Sequence, residues 1–141
     1  MELDILYFFQ IICNSYLVSL VIITQFITYP SFLDINKSNF SEYHKKYVNK
    51  ISLIVAPVMI IELLTLSFIA YLSSEFIIIK SLILLLVIWL TTFIVMIPSH
   101  NKISIAYNEK EIKRLINYNW IRTILWSFKL SIIIFLYYEK I

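Results

Sequence analysis

Between residues 5 and 33 the chain carries no charged side chain. A helix that crosses a bilayer needs about 20 mostly apolar residues, and this stretch is long enough on its own. Three more follow. Residues 51–72 are interrupted only by Glu62, residues 77–97 hold Lys80 near one end and stop at Pro98, and residues 120–138 contain Lys129. Composition agrees. Apolar residues make up 60% and charged residues 15% of the 141, against about 45–50% and about 25% in water-soluble domains. So few polar groups cannot clothe a surface in water, which excludes a soluble enzyme. With Cys13 the one cysteine, an internal disulfide is excluded. The absence of glycine rules out phosphate-binding loops, dinucleotide fingerprints and GxxxG helix pairing.

The expected fold is all-α: an integral membrane antiparallel four-helix bundle forming a single domain over residues 1–141, with spans at about 5–29, 51–72, 77–97 and 120–138. Glu2 and Asp4 precede the first span, and neither a basic leader nor a small-residue cleavage motif is present, so it is expected to stay as a helix. Lys37, Lys45, Lys46 and Lys50 follow the first span; Lys102, Lys110, Lys113 and Arg114 follow the third. The positive-inside rule places both groups in the cytoplasm and both termini outside. The net charge of +3 is then a topology signal, and no nucleic-acid partner is expected. Abundant Ile, Lys, Asn and Tyr resemble a low-GC genome, and the expected location is a bacterial inner membrane. Between spans 1 and 2, Phe40, Tyr43, His44, Tyr47, Val48 and Ile51 share one helical face, with Glu42, Lys45, Lys46 and Asn49 opposite. Asn39 with Glu42 reads as a capping box. This pattern predicts an amphipathic helix over about 40–49 on the cytoplasmic interface, its lysines toward lipid headgroups. Residues 108–118 form a second such segment.

An ionisable group in the bilayer costs roughly 2.5–3.5 kcal/mol on insertion scales, so it tends to face the bundle interior with a partner. Glu62 and Lys129 fall at similar depths and are expected to form a buried ion pair; the alternative is an outward-snorkelling lysine with a protonated glutamate. Polar residues form stripes: Gln10, Asn14, Gln25 and Thr28 in span 1, Trp89, Thr92, Met96 and His100 in span 3, and Asn119, Arg122, Thr123, Trp126 and Lys129 in span 4. Such stripes serve either as glue between helices or as the lining of a cavity.

The cytoplasmic mouth collects Gln25, Tyr29, His44, His100, Asn101, Asn119 and Arg122. His44 and His100 form a weak metal candidate, or axial ligands for a haem between them; as hydrogen-bonded interfacial histidines they need neither. No cofactor is otherwise implied. Arg122 can hold a carbonyl, phenolate, carboxylate or phosphate bidentately. Tyr118 and Trp120 suit the aromatic belt, while Trp126 faces inward.

The run Ile97-Pro98-Ser99-His100-Asn101-Lys102-Ile103, followed by Asn119-Trp120-Ile121-Arg122-Thr123, resembles the anthrone oxygenase-like family of small four-helix membrane proteins, most of unknown function. The resemblance covers roughly residues 89–127, and the first half is similar only in hydropathy. It implies the four-helix fold, and it makes Asn101, Asn119, Arg122 and Thr123 site-forming positions.

The expected function is an oxidoreductase or binding protein for a lipophilic aromatic or quinone-like substrate. Arg122, His44 and His100 are its candidate catalytic residues. Gln25, Tyr29, Trp89, Asn101, Asn119, Thr123 and Trp126 are its candidate ligand-binding residues. Two alternatives stand beside it: a proton or small-solute translocator using Glu62 and Lys129, and a non-catalytic subunit of a membrane complex. Expected partners are membrane lipids, a lipophilic small molecule and further copies of the chain.

Overall fold

The computed structural model describes residues 2–73 and 75–140, which are helical apart from short connections. Among the described residues four helices are long and apolar enough to cross a membrane: α1 (Leu3–Ser31), α2 (Phe40–Ser73), α3 (Phe76–Ile105) and α4 (running from Glu109). The chain is thus compatible with a multi-pass integral membrane protein. Its outer surface is apolar: Leu53 is 79% exposed, Leu64 64% and Ile94 64%, which in water would be an aggregation liability and in lipid is the solvated state.

Two wide turns set the geometry of the interior. In α1 residues Thr24–Thr28, and in α3 residues Thr92–Met96, adopt π-helical pairing. The Tyr29 N–H reaches the Thr24 carbonyl, and the Ile97 N–H reaches that of Thr92. In both helices a proline follows directly, Pro30 and Pro98, each with serine after it, so the two segments share the pattern Thr-x5-Pro-Ser. Proline brings no N–H and its ring clashes with the carbonyl four residues back; an extra residue in the preceding turn relieves both. The hydroxyls of Thr24 and Thr92 donate to the carbonyls of Val21 and Ile88, both at 2.9 Å.

This inserted residue corrects the expected stripe of α1. An unbroken α-helix would put Thr28 on the inner face. Instead Tyr29 is buried and Thr28 is half-buried, because one extra residue in a turn rotates everything after it by about 100°.

The amphipathic segment at 40–49 is corrected as well. It is no separate helix but the first turns of α2, which runs unbroken to Ser73 through Pro57. No helix breaker separates Asn49 from Ile51, so nothing stops propagation. Likewise 108–118 runs straight into α4, whose start is capped by the Asn108 side-chain oxygen accepting the Glu111 N–H at 3.2 Å. Glu42 does not close the expected box; its carboxylate accepts from Lys46 at 2.6 Å.

Helix register follows from polar contacts. Along α1, Gln10 meets Lys129, Val21 meets Asn119 and Gln25 meets Ile116 of α4. Buried clusters close the two ends. At one, Tyr7, Ile69, Ile78 and Leu136 pack together, bringing the first turns of α1 and the last turns of α4 near the end of α2 and the start of α3. At the other, Phe32, Phe40, Ile103 and Ile112 join the loops carrying Lys37 and Tyr107. The second is called the basic end below.

Candidate functional site

Two polar centres lie inside the bundle. The deeper one is built on Glu62 and Lys129, both wholly buried, with Lys129 Nζ 2.8 Å from Glu62 Oε1. Trp126 Nε1 donates to both carboxylate oxygens at 3.1 Å. Gln10 Oε1 accepts from Lys129 at 3.3 Å, while Gln10 Nε2 donates to the Glu62 carbonyl at 2.7 Å and to the Thr65 hydroxyl. Asn14 completes the shell: with its amide oriented to suit its neighbours, the nitrogen stands 3.1 Å from Glu62 Oε1 and the oxygen 2.8 Å from Lys129 Nζ. Taking such a pair out of water costs several kcal/mol per ion, repaid only when remaining donors and acceptors are satisfied. Here residues from α1, α2 and α4 satisfy them.

Toward the basic end, a cavity of about 160 Å3 opens between the helices. Leu20 and Thr24 line it from α1, Tyr47, Ile51, Ser52, Val55, Ala56 and Met59 from α2, Thr92, Met96 and Ile97 from α3, and Arg122 from α4. Tyr29 and His100 form its inner wall. Ser52, Ala56 and Ile97 are exposed, so the cavity communicates with the outer apolar surface between α2 and α3.

Arg122 is 6% exposed. Its guanidinium stacks over the Trp126 ring at 5.1 Å, lies beside the Tyr29 hydroxyl, and its Nε has no hydrogen-bond partner among the described residues. None of the ion pairs found among those residues includes it.

Behind the cavity wall runs a hydrogen-bonded chain. The Tyr29 hydroxyl is 3.4 Å from His100 Nε2, His100 Nδ1 is 3.0 Å from His44 Nε2, and His44 Nδ1 is 2.7 Å from the Ser104 hydroxyl. Phe32 and Phe40 pack on the His44 ring and hold it in place. All four ring nitrogens are engaged. A neutral imidazole has one donor and one acceptor nitrogen, so the chain has two self-consistent polarities, donating either toward Ser104 or toward Tyr29.

The haem expectation fails on this geometry. Metal–nitrogen bonds are about 2.0–2.1 Å, so two histidines on opposite sides of one metal stand about 4 Å apart, beyond the 3.0 Å seen here. No group of three or more His, Cys, Asp or Glu that could hold a metal occurs among the described residues.

The other expected ligand-binding residues divide. Gln25, Asn119 and Thr123 are buried without lining the cavity: the first two join α1 to α4, and Thr123 bonds within α4. The Asn119 amide donates to the Val21 carbonyl at 3.1 Å, to Gln25 Oε1 at 3.0 Å and to the Thr24 hydroxyl at 3.4 Å. Gln25 donates to the Ile116 carbonyl at 3.2 Å, and the Thr123 hydroxyl to the Asn119 carbonyl at 2.9 Å. Asn101 is corrected: it is exposed, because α3 continues helically past Pro98 and turns it away from His100. Trp89 is corrected too. It packs against Phe93 and the inner apolar clusters, at ring centroids 5.5 Å apart, and does not reach the cavity. Trp126 touches the site through Arg122 alone. Tyr47 and Ser104 went unrecognised; Tyr47 looked like one more apolar-face residue of an interfacial segment, and Ser104 gave no signal.

Comparison with family models, with curated proteins and with solved structures gave no match.

Proposed function

We propose that the chain is a multi-pass membrane protein that binds the oxygen-bearing head of a lipophilic small molecule in the Arg122 cavity, the remainder of the ligand extending into lipid between α2 and α3. The carrying observation is the buried Arg122 guanidinium, in no ion pair among the described residues, lining a cavity whose walls are largely apolar. A buried charge without a partner is costly, and an oxygen ligand hydrogen-bonded to the guanidinium offsets that cost. A volume of about 160 Å3 is below the roughly 300–1,000 Å3 of sites that enclose a drug-sized molecule, which suits a head group rather than a whole ligand. Tyr29 and Tyr47 are the aromatic side chains available to a ring; Trp89 and Trp126 do not line the space, so stacking of a quinone or polyketide-like phenol between tryptophans loses its support.

The register of polar contacts supports an antiparallel bundle, and the gathering of both lysine-rich connections at one end supports a cytoplasmic basic end by the positive-inside rule. On this reading the ligand enters from the inner leaflet. The Glu62–Lys129 centre fixes helix register: its closed shell of partners favours that role over solute translocation.

The test is equilibrium binding to the full chain in phosphatidylcholine nanodiscs, read by intrinsic tryptophan fluorescence, with dodecanoic acid, dodecanol and a prenylated naphthoquinone as probes. At least one probe should bind, and Arg122→Ala should weaken that binding roughly 10- to 100-fold, as expected for a lost charge-assisted hydrogen bond, with helicity unchanged. Equal affinity in the variant overturns the reading.

A further inference from the structure

The charge balance of the cavity narrows the ligand class. Glu62 is the buried carboxylate nearest in sequence to the cavity residues of α2, and Lys129 already neutralises it at 2.8 Å. Arg122 is paired with no carboxylate among the described residues. An uncompensated cation in a low-dielectric interior is costly, and the ligand that best relieves it brings a negative charge. The planar N–H fork of a guanidinium matches a carboxylate's two oxygens. The lining beyond Arg122 is aliphatic: Leu20, Ile51, Val55, Met59, Met96 and Ile97. An acyl chain fits such a wall.

A carboxylate does not cross lipid readily, whereas the neutral acid does, so a proton has to leave on arrival. The residues for this stand in line. His100 lines the cavity, and His44 and Ser104 continue the chain to the basic end. The titratable and charged groups facing the histidine pair are Tyr29 from α1, Tyr47 on α2 and Arg122 from α4. None is a carboxylate, so nothing there retains a proton on the imidazoles.

Building on the function proposed above, we infer that the cavity takes the head of an aliphatic carboxylic acid from the membrane, binds it as the carboxylate on Arg122, and releases its proton at the basic end through His100, His44 and Ser104. The acid's O–H bond breaks as an N–H bond forms at His100 Nε2, directly or through the Tyr29 hydroxyl. The proton on His100 Nδ1 passes to His44 Nε2, and that on His44 Nδ1 leaves by way of Ser104 to water. The balance is one neutral acid in, one bound carboxylate and one proton out. Rotation of the side chains back to the starting polarity resets the wire.

Carbon-13 NMR of carboxyl-labelled dodecanoic acid in nanodiscs holding the full chain tests this, since the carboxyl resonance separates acid from carboxylate. The bound acid should titrate at least one pH unit below the same acid in empty nanodiscs, a tenfold preference for the charged form. Dodecanol and methyl dodecanoate should bind at least tenfold more weakly than the acid. These comparisons use the wild-type chain and do not depend on any variant folding. If dodecanol, the ester or a prenylated naphthoquinone binds as tightly as the acid and Arg122→Ala still abolishes that binding, or if the bound acid stays protonated, the inference falls while the binding function stands. Binding indifferent to Arg122→Ala, or none by any probe, defeats both.

Discussion

The Glu62–Lys129 centre gives the sharpest energetic prediction. Lys129→Met leaves a wholly buried carboxylate with only neutral donors, Trp126 and Asn14, and breaking a buried pair this way costs about 3–5 kcal/mol. Glu62→Gln leaves the ammonium with two amide oxygens, from Gln10 and Asn14, at a similar cost. The double variant has neither charge. Gln at position 62 still accepts from Trp126, and the amides of Gln10 and Asn14 lose only neutral hydrogen bonds, so about 1–2 kcal/mol remains. The double variant should therefore be more stable than either single one, and the coupling between the sites should exceed about 3 kcal/mol. Reversible unfolding in mixed micelles of mild detergent and dodecyl sulfate, followed by near-ultraviolet circular dichroism, measures all four states of the cycle. Additive losses, with the double variant the least stable, refute the pairing argument.

Asn119→Leu removes the amide that donates to Val21, Thr24 and Gln25 of α1 and strands Gln25 Oε1; a loss of about 1–3 kcal/mol is expected in the same unfolding assay, with ligand affinity changed less than threefold, and an undiminished stability contradicts its role as glue. Trp126 serves two centres, which substitutions can separate: Trp126→Phe should cost stability by removing one donor to Glu62 yet retain ligand binding through the ring under Arg122, whereas Trp126→Leu should impair both, and parallel loss in the two variants contradicts that division. Acidification that protonates both histidines opposes two N–H donors at the 3.0 Å contact; wild type should lose thermal stability at low pH by more than the His44→Phe variant does, and identical acid profiles reject the contact as a pH-sensitive element.

Much of the architecture was legible in the chain. Hydropathy is summed along the backbone, so each uncharged or singly charged stretch marks a helix whatever it packs against. The expense of burying charge in lipid also signalled that Glu62 and Lys129, at comparable depth, needed partners, and in the structure they meet at 2.8 Å. Helix limits were less legible. The first turns of α2 and α4 are polar enough to look like separate surface segments, yet hydrogen bonding propagates through them because no residue there breaks it.

The candidate site was legible as a list and illegible as a geometry. The placement of the spans showed that Tyr29, His44, His100, Gln25, Asn101, Asn119 and Arg122 gather toward one end, but membership of the cavity depends on azimuth. Azimuth accumulates residue by residue, and the wide turns before Pro30 and Pro98 shift it in mid-helix. Hence Tyr29 takes the inward place expected of Thr28 and Asn101 faces out, while Tyr47 enters the wall because α2 runs unbroken from Phe40.

What the sequence determined by itself is a set of apolar helices with too few polar groups for water and with buried charges requiring company, because transfer free energies depend on residue type and count. What tertiary structure alone decided is which partner each polar group found. Glu62 is closed off by Lys129, Trp126 and Asn14, whereas Arg122 is left facing an open cavity. Hydrogen bonds and ion pairs act over a few ångströms, and only the packing of four helices, two of them widened ahead of a proline, brings distant residues within that reach.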